Sequence, residues 1–271
     1  MGGDHTPVLC VGQPMEEAAI HAIGRGVAAV FSAGCPGRAG ANEDAAALIP
    51  LDGGSAVLAV ADGLGGTPLG DHAASLAVRS LVEALAPAIR ERSRLRDAIL
   101  NGIERANEAV VALGGGAATT LTVAEIQEDA VRPYHVGDSV ILLVGQRGRV
   151  KFQSIAHSPV GFAEEAGLLR EREAMEHADR HLVSNVLGSR QMRIEIGPAL
   201  LLSARDTLLL ASDGLADNLR RREIAERVRR GTLAESARRL AADAHRRMTA
   251  PAAGEPSKPD DLTFVLFRLG P

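Results

Sequence analysis

Short apolar runs alternate along this chain with longer stretches of helical spacing, and the two patterns separate predicted strands from predicted helices. The short runs predict eight strands: Val27–Phe31, Val57–Ala61, Thr119–Ile126, Val131–Val136, Val140–Val144, Val150–Ile155, Thr207–Ala211 and Leu262–Leu269. Four of them, between residues 119 and 155, are separated only by short polar turns. Such spacing predicts one antiparallel meander.

Amphipathic helices are predicted between and after these strands. The apolar faces of two long helices carry Val78, Leu81, Val82, Leu85 and Ile89, then Leu95, Ile99, Ile103, Ala106, Val110 and Leu113. A charged helical stretch is predicted over Phe162–His181, and a final helix has its apolar face from Leu233 to Ala244. Each apolar face must be covered by another layer. The order of elements predicts an α+β fold, a four-layer α-β-β-α sandwich of two antiparallel sheets flanked by helices.

Composition narrows the functional classes. The 271 residues are 46% hydrophobic and include no Trp and one Tyr, so the core must consist of aliphatic side chains. Net charge is −4 with both signs well mixed, and we expect neither a nucleic-acid partner nor a membrane span. Cys10 and Cys35 are too few for a disulfide framework or a zinc site, which predicts a reducing, cytoplasmic location.

Two acids stand where an apolar run ends in a glycine turn. Asp62 does so in AVADGLGG and Asp213 in LLLASDGL, whereas Asp52 follows Pro50 and has the context of an ordinary hairpin turn. A carboxylate at the rigid end of a buried strand is a hard oxygen ligand. The repeat of this arrangement suggests a divalent metal site.

Further acids stand at the start or end of apolar segments: Glu43, Asp44, Asp138, Asp260 and Asp261. These acids either stay apart as turn residues or surround a cation, because clustered carboxylates repel each other and lose solvation. Without His or Cys at matching spacing, Mg²⁺ or Mn²⁺ is favoured over Zn²⁺. Two such ions can hold a phosphoryl group.

Six motifs follow in the chain order GRAGANEDA, AVADGLGG, TTLTVAEI, HVGDSVILL, LLLASDGLADNL and PDDLTFVL. Together they resemble the metal-dependent serine/threonine protein phosphatases, the PPM or type 2C family, in its bacterial form. The resemblance implies an N-terminal extension over 1–22, one catalytic domain over 23–271 and a flap that selects substrates over 161–188. It also implies hydrolysis of phosphoserine and phosphothreonine in proteins, by attack of a metal-bridging hydroxide.

The same resemblance implies ligands for two Mn²⁺ or Mg²⁺ ions. Asp62 would bridge both ions, with the carbonyl of Gly63 as a further ligand. Asp213 and Asp260 would complete the shell of one ion, and the adjacent acids at 43 and 44, Glu43 and Asp44, would serve the other.

A weaker third ion and a phosphate contact are also implied. Asp138, Asp213 and Asp217 would hold the third ion, and Arg38 would pair with the substrate phosphate. Among the positions that depart from the family pattern, three are close to the implied ligands. Arg38 precedes Asp44 by six residues instead of five, Leu64 replaces a His or Met, and Asp261 replaces an Asn. Either Asp260 or Asp261 could therefore be the ligand.

Two other functions fit the same sequence. One is a pseudophosphatase, a binding module with the fold but no turnover, and the other is a phosphatase of small phosphoesters. The retained acids favour an active enzyme. Its expected partners are phosphorylated proteins of a Ser/Thr kinase pathway, and its oligomeric state stays open, with a monomer expected.

Overall fold

The computed structural model describes residues 6–12, 14–64, 69–87 and 95–270. Its strands are β1 (Val8–Val11), β2 (Ala19–Ile23), β3 (Gly26–Ala33), β4 (Asp44–Pro50), β5 (Ala56–Asp62), β6 (Leu121–Gln127), β7 (Ala130–Val136), β8 (Val140–Val144), β9 (Val150–Gln153), β10 (Glu195–Ile196), β11 (Leu200–Leu201), β12 (Thr207–Ala211) and β13 (Leu262–Leu269). Its α-helices are α1 (Gly70–Leu85), α2 (Leu95–Leu113), α3 (Pro159–Glu165), α4 (Glu171–Met175), α5 (Asp213–Ala216), α6 (Arg221–Val228) and α7 (Leu233–Thr249). Ile89 and the Gly65-Gly66 pair of AVADGLGG lie outside the described residues.

The strands form two antiparallel sheets. The first sheet has the order β1-β4-β5-β6-β7-β10, with β11 also paired to β7. The second has the order β2-β3-β13-β12-β8-β9. This arrangement confirms the predicted α+β class.

Side chains alternate across the sheets and define four layers. In β5, Val57 and Ala59 pack in the cluster that includes α1 and α2, whereas Leu58 and Val60 pack between the two sheets. On the far side, Leu240 of α7 packs against the outer face of the second sheet. The α-β-β-α sandwich is therefore confirmed, and the gap between its sheets is filled mainly by aliphatic side chains, together with Phe267.

The predicted four-stranded meander is wrong, because its strands belong to different sheets. The hairpin β6-β7 lies in the first sheet and the hairpin β8-β9 in the second. The chain crosses between them at Gly137–Ser139, where Gly137 has a φ of 112°. A Cβ at Gly137 would lie 2.5 Å from the Thr120 side chain, so this crossing requires glycine. Hydrophobic periodicity cannot reveal the crossing, since both hairpins have similar apolar runs.

The described part of the predicted N-terminal extension belongs to the sandwich. Strand β1 pairs with β4 and strand β2 with β3, so residues 8–11 and 19–23 form one edge strand of each sheet. Strand β4, which the apolar runs did not predict, is rich in alanine and almost wholly buried. Short edge strands and alanine runs carry little of the β-branched signal that identifies strands from sequence.

The charged stretch Phe162–His181 is not one helix. It contains most of α3 and all of α4, separated by a turn with Gly167 at a φ of 71°. Among the described helices, none is long and apolar enough to cross a membrane.

Candidate metal centre

Asp44 and Asp62 lie directly opposite each other on neighbouring strands of the first sheet. Strand alternation puts Asp62 on the same face as Leu58 and Val60, which is the face between the sheets. Like charges in directly opposed positions destabilise a sheet. This end of the sandwich therefore contains a carboxylate pair that requires a compensating charge.

The second sheet adds Asp213, at the start of α5, and Asp260, just before β13. A Cβ at Gly214 would lie 1.9 Å from the carbonyl oxygen of Asp261, so glycine lets these two segments touch. The backbone N–H of Asp213 donates to Asp62 Oδ2 over 3.3 Å. The two halves of the centre are thus joined across the sheets.

Asp138 and Asp217 complete a cluster of six acids: Asp44, Asp62, Asp138, Asp213, Asp217 and Asp260. Asp138 lies on the crossing between β7 and β8, and Asp217 follows α5. Loss of solvation and the charge of Asp213 raise the pKa of Asp138 to about 7 and that of Asp217 to about 6. The acids that were candidates in the sequence therefore interact electrostatically in the fold.

The pair Asp44 and Asp62 is the most perturbed part of the six-acid cluster. Loss of solvation raises the pKa of Asp44 to about 8, assisted by the charges of Asp261 and Asp213. The pKa of Asp62 is raised well above its usual range by desolvation and then by the charges of Asp44 and Asp213. In the described part of the chain, Asp44 Oδ1 is buried without a hydrogen-bond partner, while Oδ2 accepts from Ser212 Oγ over 2.8 Å. A buried carboxylate oxygen with no partner among other acids fits a hard divalent cation.

Two threonines hold the backbone of Asp62. The Asp62 N–H donates to Thr120 Oγ1 over 3.0 Å, and the Asp62 carbonyl accepts from the Thr120 N–H over 2.8 Å. The same carbonyl also accepts from Thr119 Oγ1 over 2.9 Å. Thr120 Oγ1 lies 2.7 Å from Ser139 Oγ, next to Asp138. The sequence pattern indicates no role for these hydroxyl groups. In the structure they position Asp62 and the crossing between β7 and β8 that carries Asp138.

Gly63 is packed too tightly to carry a side chain. Its N–H donates to the Glu43 carbonyl over 3.0 Å, and a Cβ would lie 2.3 Å from the Gly70 carbonyl oxygen. The backbone of the AVADGL turn is thereby pressed against the start of α1.

Arg38, Glu43 and Asp261 form an ion-paired group beside the six-acid cluster. Arg38 Nη2 lies 2.9 Å from Glu43 Oε2 and 3.4 Å from Asp261 Oδ2. Asp261 also accepts the backbone N–H groups of Cys35, over 2.7 Å, and of Glu43, over 2.8 Å. Asp261 thus anchors the loop that carries Arg38, whereas the pKa of Asp260 is raised by desolvation and by the charge of Asp213.

Lys258 reaches into the acidic cluster, which the sequence reasoning did not foresee. Its Nζ lies 2.5 Å from Asp213 Oδ2, 2.9 Å from Asp217 Oδ2 and 3.3 Å from Asp260 Oδ2. Burial opposes the charged form, but the charges of Asp213 and Asp217 outweigh it and raise the pKa of Lys258. A single lysine in a proline-rich loop has no periodic signal, so only the fold reveals these contacts.

His135, His157 and Glu195 form a second group of possible ligand atoms, all within 4.8 Å of one another. His157 Nδ1 accepts the Gly137 N–H over 3.1 Å, so its hydrogen is on Nε2, which donates to Glu195 Oε2 over 2.9 Å. Burial and the neighbouring His157 lower the pKa of His135 to about 3. The hydrogen bonds of His157 thus join the β7-β8 crossing, on which Asp138 lies, to β10.

A cavity of about 390 Å³ opens beside the six-acid cluster. Asp138, Asp213 and Asp217 line one side of it. Val160 lines it from α3, Leu169 and Ala174 from the predicted flap region, and Arg221 from α6. The cavity is large enough for a side chain that carries a phosphoryl group.

Comparison with known proteins identifies the same combination of fold and motifs. The family model for Protein phosphatase 2C matches residues 37–250. Protein phosphatase PhpP of Streptococcus pneumoniae is 31% identical over 183 residues, which cover 64% of this chain and 72% of that protein. Serine/threonine phosphatase stp of Listeria monocytogenes is 28% identical over 206 residues, covering 72% of this chain and 81% of that protein.

Solved structures agree with the sequence relatives. The serine/threonine phosphatase of S. agalactiae superimposes with a TM-score of 0.77 at 27% identity, over 90% of this chain and 99% of that one. The catalytic domain of the phosphatase PstP, solved in complex with two manganese ions, gives a TM-score of 0.71 at 25% identity over 97% and 99% of the two chains. Because the family match and the fold together span most of its length, this chain belongs to the protein phosphatase 2C family and is a metal-dependent serine/threonine protein phosphatase.

Proposed function

We propose that the six-acid cluster holds two Mn²⁺ or Mg²⁺ ions and that Asp62 is shared between them. The supporting observation is the directly opposed pair Asp44 and Asp62, in which one buried carboxylate oxygen of Asp44 has no hydrogen-bond partner in the described chain. Asp213 and Asp260 would complete the shell on the side of the second sheet. Asp260 is preferred over Asp261, because Asp260 interacts electrostatically with Asp213, whereas both oxygens of Asp261 bind backbone N–H groups of the loop that carries Arg38.

Of the two acids proposed for the ion on the side of the first sheet, Asp44 is better placed to be a ligand than Glu43. Asp44 belongs to the cluster, whereas Glu43 uses one carboxylate oxygen to bind Arg38 and has the other close to Gly70. We assign Glu43 a role through water or through Arg38. The carbonyl of Gly63 keeps its proposed ligand role, since its backbone is fixed against α1.

The chemistry of the reaction divides between the ions and the protein. When bound, two divalent ions lower the pKa of water and offset the charge of a phosphoryl group. Arg38 supplies a planar pair of N–H donors for the phosphate oxygens, and its contacts with Glu43 and Asp261 hold the guanidinium at the edge of the cluster. Leu64 provides no ionisable group to the turn, so the proton for the leaving oxygen must come from elsewhere.

The substrate class follows from the cavity beside the acids. Apolar side chains of the flap region and Arg221 of α6 face the acidic wall, which suits a phosphorylated Ser or Thr and its neighbouring residues. We propose that the enzyme acts as a monomer in the cytoplasm, on proteins phosphorylated by a Ser/Thr kinase pathway.

Hydrolysis assays test this assignment. With Mn²⁺, the enzyme should hydrolyse p-nitrophenyl phosphate and a phosphothreonine peptide, and EDTA should abolish both activities. Asp62→Asn and Asp260→Asn should each lower kcat/KM by about a hundredfold or more, because metal ligands and the groups that orient them have effects of that size. Asp97→Asn, an exposed change on α2, should leave kcat/KM unaltered.

Three results would contradict the proposal in different ways. Mn²⁺ binding without any turnover would indicate a pseudophosphatase. Equal kcat/KM for peptides and small esters would indicate a phosphatase of small phosphoesters. Activity that persists in EDTA or in the Asp62→Asn variant would contradict the proposed metal centre itself.

A further inference from the structure

The ammonium group of Lys258 lies among three acids that are also proposed metal ligands. Nζ is within 3.3 Å of carboxylate oxygens of Asp213, Asp217 and Asp260. The Lys258 side chain is 21% exposed, so water screens these contacts only in part. A protein cation thus shares its carboxylate partners with the proposed ions.

The backbone around Lys258 is held in place by its neighbours. Asn218, which is fully buried, accepts the Lys258 N–H over 2.9 Å and donates to the Lys258 carbonyl over 2.8 Å. The adjacent Ser257 donates its hydroxyl to the Arg247 carbonyl of α7 over 2.8 Å. These bonds fix the backbone of Lys258 close to α5. The ammonium group is therefore held near the acids and has a high effective concentration for pairing with them.

The three partners of Lys258 do not contribute equally to the proposed ions. Asp213 and Asp217, together with Asp138, form the side proposed for the weaker third ion. Asp44 and Asp62, which form the other side, make no ion pair with Lys258 in the part of the chain that the structure describes. The positive charge of Lys258 beside Asp213 and Asp217 repels a divalent ion at the third position. It also occupies carboxylate oxygens that this ion would use.

We propose that Lys258 is an internal competitor of divalent ions on the Asp138, Asp213 and Asp217 side of the centre. In the metal-free protein it pairs with Asp213 and Asp217, and in the presence of metal it lowers the affinity of the third position. This inference rests on the proposed assignment of the acids as metal ligands.

Lys151 offers a matched control for the test. It is the only other lysine in the sequence, and its Nζ lies 2.5 Å from Asp206 Oδ2, in a pair that connects β9 to the start of β12. Lys151→Met and Lys258→Met therefore make the same change, a lost charge on an unbranched side chain, at two sites where the lysine pairs with acids.

Two measurements that do not depend on turnover test the competition. In calorimetric titrations with Mn²⁺, Lys258→Met should bind the weakest resolved ion about tenfold tighter than the wild type, or bind one additional ion. In thermal unfolding with EDTA, the same variant should melt below the wild type, and Mn²⁺ should raise its Tm by more than it raises that of the wild type. Lys258→Arg, which keeps the charge, and Lys151→Met should both retain the Mn²⁺ affinity of the wild type.

The outcomes separate this inference from the proposed function. Superimposable Mn²⁺ isotherms for wild type and Lys258→Met would overturn the role of Lys258 while leaving the metal centre intact. A wild type that binds no Mn²⁺ at all would overturn the metal centre itself. If Lys258→Met does not fold, Lys258→Gln, which removes the charge but keeps a polar end, must show the same gain in affinity.

Discussion

Single residues without side chains decide how closely the segments of the metal centre approach. Gly214 touches the carbonyl oxygen of Asp261, and Gly63 touches that of Gly70. In both places a Cβ would overlap backbone atoms, which cannot move aside as a side chain can. Glycine is therefore a condition for bringing Asp62, Asp213 and Asp260 together.

Gly214→Ala should destabilise the protein by about 3 kcal/mol, because overpacking against rigid backbone is costly. The free energy of unfolding in urea measures this effect. Gly34→Ala is the matched control, since its Cβ would meet only Asp261 Oδ1 at 3.8 Å, and it should change stability by no more than about 0.5 kcal/mol. Equal stability of the two variants would show that the contact of α5 with Asp261 is loose.

Asp44→Asn tests the conflict between stability and function at one side chain. Without metal at pH 8.5, removing a buried charge should stabilise the protein by about 1 kcal/mol or more, because Asp44 faces other acids. With Mn²⁺ the same change should weaken metal binding and lower the metal-dependent gain in Tm. Thermal unfolding with EDTA and with Mn²⁺ measures both effects, and a variant that is less stable in both conditions would contradict the prediction.

At the scale of elements, Arg221 connects the flap region to the second sheet's helical layer. Its backbone N–H donates to Glu171 Oε1 over 2.6 Å, its Nη1 donates to Gln153 Oε1 over 3.1 Å, and its Nη2 pairs with Glu164. One arginine at the start of α6 thus contacts α3, α4 and β9, which surround the cavity.

Arg221→Gln should therefore loosen the flap region without unfolding the sandwich. Amide hydrogen exchange of residues 159–176 should become faster, while exchange in β12 and β13 should stay unchanged, because local openings need not involve the core. Arg222→Gln, an exposed neighbour on the same helix, is the control. Equal exchange in the two variants would mean that apolar packing alone holds α3 and α4.

How well each strand could be predicted from the sequence depends on how strongly its own residues show that it is buried. Strands β8, β12 and β13 have the bounds predicted from their apolar runs, because each is buried on both faces. Edge strands β1 and β2 were missed, since few of their side chains are buried. The same limit applies to the site. Asp62 and Asp213 stand out beside glycine, whereas the contacts of Lys258 with Asp213 and of Thr119 with Asp62 join residues that are distant in sequence.

For the molecule as a whole, the six-acid cluster makes stability depend on both pH and metal. Unfolded aspartates titrate near pH 4, whereas burial and neighbouring acids raise the folded pKa of Asp217 to about 6, of Asp138 to about 7 and of Asp44 to about 8. Between these values the folded state binds more protons than the unfolded state. The contribution of these groups to stability is therefore complete below pH 4 and is lost as pH rises toward 8.

The metal-free protein should accordingly melt at a higher temperature at pH 5.5 than at pH 8.5. Mn²⁺ should reduce or reverse this difference, because ions bind the deprotonated acids and stabilise the folded state. Thermal unfolding across this pH range, with EDTA and with Mn²⁺, measures the effect. A Tm in EDTA that rises steadily from pH 5.5 to 8.5 would contradict the raised pKa values.

The position of strand β13 in the second sheet determines when this sheet can be completed during synthesis of the chain. Although it follows the other twelve described strands in the chain, it lies inside the second sheet, hydrogen-bonded to β3 on one side and β12 on the other. While a ribosome is still adding residues 262–269, β3 and β12 have no neighbour between them, and Asp260 has no fixed place. The second sheet of the nascent chain therefore stays incomplete until β13 is synthesised. Phosphatase activity can begin only after this strand has been inserted between β3 and β12.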